Sequence, residues 1–458
     1  MMRSFTWTLF CCALFGTAQG QYGAGGTGGT WEGIWGVQSQ PASILLNPDR
    51  ADINVLRFGV DLDNSYFQLS NGNIGLFGFG RHIEVNTNQA QLDALGASDR
   101  SVALDLRILG PSFSMKLGTR DAIGFTTGFR TSFSALDLDQ LARKFGVDTL
   151  VIETGKSRTL DEVALRAAAV SWSEFGPVYG HSFNVGENMR LHAAVAVKYA
   201  LGLVAMNADL DPPVLSGLND SVQTLTNVDL TYALALPDDP PLQGGPGNWV
   251  NGHGWNGSGG FVLEFLRADT SAGWHPHWLR IGVAVTDLGS INFNKRAGSY
   301  AIANGSTALD NFDTFQVHQI ADFDTALSSL LLRDPHASFR ANSFRMGLPA
   351  AAHASVDWSP TGPWAVRFEA VLSLRKPPNS VEVRDQFALV PRFETRMACI
   401  AVPLTVDRFG SVGLGISARV GGFLIGSDRL GALFGINRVS GADLYIGAKV
   451  RLKARPAH

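Results

Sequence analysis

The sequence predicts an all-β protein, a transmembrane antiparallel β-barrel of about 14 strands with short helical excursions. Three observations lead there. First, apolar and polar residues alternate with period two along most of the chain. In Ser411 to Val420, Val412, Leu414, Ile416, Ala418 and Val420 share one face, and Ser411, Gly413, Gly415, Ser417 and Arg419 the other. Second, glycine and charge gather on the polar face, as a wet lumen behind a lipid-facing wall requires. Third, 45% of the 458 residues are hydrophobic, yet no later stretch has the 18 or so consecutive apolar residues of a helical span.

Composition narrows the class further. A net charge of −3 with only 17% charged residues offers no basic footprint for nucleic acid. Residues 1–20 read as a secretory signal: Arg3 supplies the charge, Phe5 to Phe15 the short apolar core, and Ala18, Gln19 and Gly20 the small-x-small cleavage site. Cleavage there leaves Gln21 first and removes Cys11 and Cys12, so Cys399 stands alone and no internal disulfide is available. The remaining domains are a Gly-rich leader and possible plug over 21–53, a barrel over 54–452 and a tail over 453–458.

In chain order, residues 22–30 read as a flexible Gly-rich leader, and Trp31 to Arg50 as irregular backbone in or under the barrel. The first strand spans Asn54 to Asp63, with Leu56, Phe58, Val60 and Leu62 outward. A loop with a short helix near Gln89 to Leu95 follows. Ser101 to Leu109 and Ser112 to Gly118 read as a hairpin broken at Gly110-Pro111, because proline cannot donate to a ladder. Ala122 to Ser134 is a long strand with Ile123, Phe125, Phe129 and Phe133 outward.

Residues 135–167 leave the strand period. Leu136, Leu138, Leu141, Ala142 and Phe145 have helical spacing, and Leu160, Val163, Ala164 and Ala167 repeat it behind a Thr159/Glu162 capping box, which predicts two short helices. Strands resume at Ala168 to Phe175, Val178 to Phe183, Leu191 to Val204 and Asn227 to Leu236. Residues 237–260, rich in Pro, Gly and Asn, read as a long loop. Further strands are expected at Phe261 to Leu266 and Leu279 to Asp287. A helix over Phe315 to Leu332 is expected within an excursion covering 305–347. A hairpin joins Ala352 to Trp358 with Trp364 to Leu374. Arg392 to Val406 supplies two segments, and Asp443 to Leu452 ends the barrel.

Chemistry-bearing motifs are sparse. Gly23, Gly25 and Gly28 match G-x-G-x-x-G, but no strand precedes them. Gly155-Lys156-Ser157 lacks the first glycine of a phosphate loop, since Leu150 stands there. His275 and His277 form a close pair without a third ligand. The flanking Trp274 and Trp278 suggest a membrane-interface belt with the two histidines at its edge. Neither G-x-S-x-G nor H-E-x-x-H occurs. A hydrolase would need a serine and a histidine brought together by the fold, with His181, His192 or His353 as base; on a strand's polar face each reads as a solvated side chain. No enzyme and no cofactor are therefore expected.

The lumen-facing charges are the stronger signal: Asp105, Arg107, Arg130, Lys198, Arg280, Asp357, Arg367, Glu369, Arg419, Asp443, Lys449 and Arg451. Their mixed signs predict a network that solvates the lumen or packs against a plug rather than an ion-selective constriction. Asp287 shares the parity of Ile281 and Val283, which assigns it to the strand end near the membrane edge.

Pro391 to Arg396, Val402-Pro403-Leu404, Phe423 to Asp428 and Gly441 to Val450 together resemble the closing part of a family of exported Bacteroidota barrels of unknown function. Ile281 to Ser290 and Asn47-Pro48 resemble segments which that family shares with relatives of the fatty-acid-transporter barrel. The resemblance implies an outer-membrane barrel with distant likeness to barrels that accompany type IX secretion and gliding. It carries no catalytic residues. One departure is the ending: such barrels commonly finish on an aromatic residue, whereas Lys453 to His458 follow Leu452 here. The expected role is a structural or accessory barrel for secretion or surface assembly, with lipid and machine proteins as partners. The alternative is a transporter of hydrophobic small molecules, and an open porin comes third.

Overall fold

The computed structural model describes residues 23–64, 101–136, 158–159, 164–216, 224–236, 246–267, 275–308, 322–407, 412–430 and 441–452. Within them the wall is a closed antiparallel barrel of 14 strands. They are β1 (Ala51–Asn64), β2 (Ser101–Leu109 with Ser112–Leu117), β3 (Asp121–Leu136), β4 (Leu165–Gly186) and β5 (Met189–Leu210). Next come β6 (Thr224–Ala235 with Gly252–Leu266), β7 (His277–Phe293 with Ala297–Ala308) and β8 (Phe339–Ala341, Phe344–Gly347 and Ala351–Trp358). Then follow β9 (Trp364–Ser373), β10 (Gln386–Glu394), β11 (Ala398–Ala401 with Leu404–Asp407), β12 (Val412–Leu414 with Ile416–Val420), β13 (Phe423–Ser427) and β14 (Gly441–Leu452). β1 pairs with β14 from Ala51↔Leu452 to Asp63↔Gly441, and this seam closes the sheet without an edge.

Outward positions are apolar and bare: Val195, Val197, Phe261, Val283, Leu414, Ile425 and Ile446 are all exposed. Only lipid makes such a continuous band stable. Trp278, Trp358 and Trp364 mark one rim and Tyr199 and Trp255 the other, as aromatic girdles do. Both ends of the wall and the short turns 118–120, 187–188, 395–397 and 421–422 lie at the first rim, which is the periplasmic one by the usual loop asymmetry. The chain is an outer-membrane barrel, and among the described residues no helix is long and apolar enough to cross a membrane.

Several sequence expectations are corrected. Ser101–Leu109 and Ser112–Leu117 are one wall strand, because both pieces pair with β1 on one side and β3 on the other. Pro111 sits in a bulge instead of a turn: Gly110 N donates to Thr127 O at 2.9 Å, and Thr127 N to Ser112 Oγ at 3.0 Å. β4 likewise runs unbroken through Pro177; its ladder to β5 skips Gly176 and Pro177 and resumes in register. Residues 252–260 are strand where a loop was expected, and they run directly into the expected strand Phe261 to Leu266. Residues 305–308 and 339–347 belong to the wall, so the second excursion is shorter than expected. Its helix is seen over Phe323–Leu332, and 315–321 lie outside the described residues. Thr159 pairs with Val214 and Leu165 to Ala167 are strand, so the second proposed helix is absent there. The first helix beyond Leu136, the helix near Gln89, the signal and the tail fall outside the described residues.

The long strands rise above the outer girdle on one side. There, the upper parts of β5, β6 and β7 carry the helix Phe323–Leu332, labelled α2 because a short helix, α1 (Ser43–Leu46), precedes it in the chain. Leu327 and Leu331 of α2 pack with Leu225, Val228, Tyr232 and Ile302 of the wall. Arg333, at φ 60°, caps the helix in the left-handed conformation, its N–H bonded to Ser329 O.

Candidate functional site

The lumen is filled from both ends. From the periplasmic rim, residues 23–50 fold into it as a plug, so the Gly-rich leader is packed rather than flexible. The sequence gives this stretch two short 3₁₀ turns and α1, no strand period, and a run of apolar side chains. Ile34, Trp35, Val37, Ala42, Ile44 and Leu45 bury against Leu109, Ala122, Val178, Ala194, Ala196 and Val262 of the wall. Complete burial of one such large side chain stabilises by about 1.5–3 kcal/mol. Wall glycines make the approach possible. A Cβ on Gly260 would overlap the Gln40 side chain, whose Nε2 donates to Phe261 O at 3.2 Å and Val283 O at 3.1 Å.

Polar groups of the wall hold the plug backbone. Lys449 Nζ, fully buried, donates to Trp31 O at 2.8 Å and Glu32 O at 2.7 Å and pairs with Asp52 at 3.0 Å. It also lies 4.7 Å from the Trp35 ring centroid. Trp35 Nε1 donates to Asn54 Oδ1 at 2.6 Å. Thr30 N donates to both oxygens of Glu394 at 3.1 Å, and Thr30 Oγ1 meets His275 Nδ1 at 2.8 Å. At the plug's start, Asp428 accepts from Gly25 N at 3.1 Å, from Ala24 N, and from Tyr445 Oη at 2.9 Å. Burial, reinforced by neighbouring Asp443, pushes the Asp428 carboxyl up to about 7. Burial also raises Glu32, against the opposing pull of Arg367.

The remaining lumen charges, beside the plug and above it, pair within and between strands. Arg130 reaches Asp287 at 2.6 Å and lies 4.7 Å from the Trp172 ring centroid. Lys198 pairs with Glu174 at 2.6 Å, and Asn256 bridges Glu174 and Asp287 at 2.8 and 2.7 Å. Arg280 pairs with Glu264 at 2.6 Å, Arg107 with Asp105 at 2.6 Å, and Arg367 with Glu369 at 3.3 Å. Asp357 takes two bonds of 2.8 Å from Arg392 and one of 3.1 Å from His277. Arg419 meets Glu394 at 3.4 Å, Asp443 accepts from Asp428 N at 2.7 Å, and Arg451 meets Asp49 of the plug at 2.7 Å. Every charge singled out in the sequence thus sits in the lumen with a partner. Burial of this kind is tolerable only when the partners are in place.

Three readings change. Asp287 is buried in the middle of β7, not at its end. Its φ of 58° makes a bulge against Gly257 to Gly259, and the one-residue slip turns Thr286 and Asp287 both inward. His275 and His277 are buried beside Glu394 and Asp357 instead of lying at the edge of the belt, which Trp278 joins without them. Among the described residues no group of three His, Cys, Asp or Glu is placed to hold a metal. His192, expected to be solvated, is enclosed by Ser182 and Glu264. Glu174, Glu264, Arg392 and Glu394 were legible by parity alone, since each alternates with outward aromatic or aliphatic neighbours; Asp287 was not.

From the outer rim, residues 374–385 fold inward as a strap. Gly347 N donates to Asn379 O at 2.8 Å, Ser380 Oγ to Leu348 O at 3.1 Å, and Glu382 N reaches across the lumen to Ser134 Oγ at 3.1 Å. Arg384 pairs with Asp63 and Asp407. Val381 joins Trp172, Ile291, Phe293, Met346 and Leu348 in an apolar layer. Between strap and plug remains a small cavity of mixed lining, bordered by Ser39, Arg107, Asp287, His353, Glu369 and Val383, with room for about one water.

Solved structures of outer-membrane channels resemble the chain across nearly its whole length. A TodX monoaromatic hydrocarbon channel mutant is 11% identical, with 96% of this chain and 98% of that one covered and a TM-score of 0.41. The Pseudomonas putida toluene transporter TodX is 8% identical, with 96% and 100% covered and a TM-score of 0.41. A Pseudomonas aeruginosa FadL homologue is 10% identical, with 95% and 99% covered and a TM-score of 0.31. No curated protein matches the chain. A family model does match it over residues 41–428, from inside the plug to the end of β13, and on that span the chain belongs to the family of unknown function DUF5723.

Proposed function

We propose that this protein is a structural or accessory barrel of the outer membrane, closed at rest, serving secretion or surface assembly. The observation that carries the reading is the double closure of the lumen: plug and strap are each bonded to several strands, and the cavity between them has room for about one water. A wall that rises above the outer girdle under α2 supports it further, because it offers a rigid surface outside the lipid. Purification in mild detergent, with the protein and lipid that co-purify identified, tests the proposal. A stoichiometric protein partner is expected, together with no steady conductance in planar bilayers. Large unitary conductance without any partner would overturn it.

A second reading, transport of hydrophobic small molecules, rests on one feature. The apolar face of the plug, with Trp35 and Ile44, packs on Leu109 beside the Gly110–Pro111 interruption of β2. Withdrawal of the plug would bare an apolar path at a weak point of the wall. A bound fatty acid or other apolar molecule in place of a protein partner would select this reading.

A further inference from the structure

Just inside the periplasmic mouth, β4, β5 and β6 bring together three side chains that hold neither plug nor strap. Ser182 and His192 face each other in register across β4 and β5. Ser182 Oγ is 2.8 Å from His192 Nδ1, and His192 Nε2 is 3.1 Å from Glu264 Oε2. Glu264 is itself fixed: Arg280 Nε and Nη2 donate to its other oxygen at 2.8 and 2.6 Å. A carboxylate held this way accepts the proton on Nε2. In that tautomer Nδ1 carries the lone pair, which points toward the serine hydroxyl. Nucleophile, base and orienting acid are thus each within hydrogen-bond reach of the next.

We propose that Ser182 is an activated nucleophile, with His192 as its general base and Glu264 as the orienting residue, and that it acts on carboxylic esters entering from the periplasmic side. Position supports access. Ser182 is 6% exposed, and the next inward pair toward the mouth, Asn184 and Arg190, is exposed. Lys116 is in register with Ala122, which pairs with Gly180 two residues from Ser182; with exposed Arg190 it adds basic side chains at the mouth, which favours an ester borne on an anionic amphiphile. In the first step Ser182 Oγ bonds to the ester carbonyl carbon and its proton passes to His192 Nδ1. The carbon–oxygen bond to the alcohol breaks, and that proton leaves with the alcohol. Water then gives a proton to Nδ1 and attacks the acyl-serine. The carboxylic acid departs, and Ser182 Oγ recovers the proton. Atoms balance with water as the only co-reactant.

This inference is independent of the scaffold reading, since a closed barrel can carry a reactive group at its mouth. The test treats the full-length protein in detergent with a small alkyl fluorophosphonate and maps the adduct by peptide mass spectrometry. The expected result is one adduct, on Ser182, with fluoride released. It should be absent in Ser182→Ala and its rate should fall on the order of 100-fold or more in His192→Gln. Glu264→Gln should slow it and displace its pH profile. Each variant is checked for the heat-dependent gel shift of a folded barrel. Should the variants fail to fold, the wild-type adduct map alone decides. Absence of an adduct, or one spread over other serines, would overturn the proposal.

Discussion

The outer face of β5 to β7 passes through two environments. Below the outer girdle, Val195, Val197, Phe261 and Val283 stand bare to lipid. Above it, Leu230, Tyr232, Leu234, Tyr300 and Ile302 continue an apolar face, but there α2 covers them with Phe323, Leu327 and Leu331. The bulge between β4 and β5 at Ser171/Trp172 shifts parity, so that Met206 faces out where Ala205 turns in. One rule of alternation therefore serves two solvents, bilayer and helix. An apolar stripe in a barrel sequence marks what water must not touch, and by itself it does not mark the membrane.

The contrast predicts how substitutions sort. Ile302→Arg, beneath α2, should be the most damaging at about 3–5 kcal/mol, because a covered charge finds no partner. The cost should be the same in detergents and lipids of any chain length when followed by urea unfolding. Val283→Arg should cost roughly 2–4 kcal/mol in bilayers and far less in detergent. An equal loss in both media would place Val283 away from lipid. Leu327→Ala should cost about 2 kcal/mol, the low end for a core leucine, because a surface helix can settle into the gap. Limited proteolysis near α2 should rise in parallel. Met206→Ala, already 44% exposed, should change stability by less than about 0.5 kcal/mol. A larger loss would show that α2 or another segment covers it.

Much of the wall was legible because lipid enforces a strict period. β12 and β14 show it residue by residue, from Val412 to Val420 and from Leu444 to Leu452. The period fails where local geometry changes parity or where glycine erases the signal. Asp287 is the first case, displaced by its bulge. Gly252 to Gly260 is the second, with few side chains to alternate. Proline misled for a third reason: at Pro111 and Pro177 the sequence marks a missing donor, and a bulge or a skipped pair absorbs it as readily as a turn. The plug and strap were least legible. Their partners are remote: Lys449 lies 418 residues from Trp31, and Glu382 lies 248 from Ser134. The ordering of Ser182, His192 and Glu264 is likewise made by strand register, which no local motif records.

The seam between β1 and β14 bears on how the molecule is made. Lys449 belongs to the strand synthesised last, and the carbonyls it binds belong to the plug, the first described segment of the chain. Gly23 to Arg50 leads straight into β1, so the segment that fills the barrel is covalently continuous with the strand that shuts it. Filling and shutting are therefore expected to be coupled in biogenesis. A chain lacking residues 441–452 should leave its N-terminal segment open to protease while β3 to β8 remain protected. The arrangement amounts to quality control: an unfilled barrel keeps the ladders of its last strand but lacks the plug contacts that brace it.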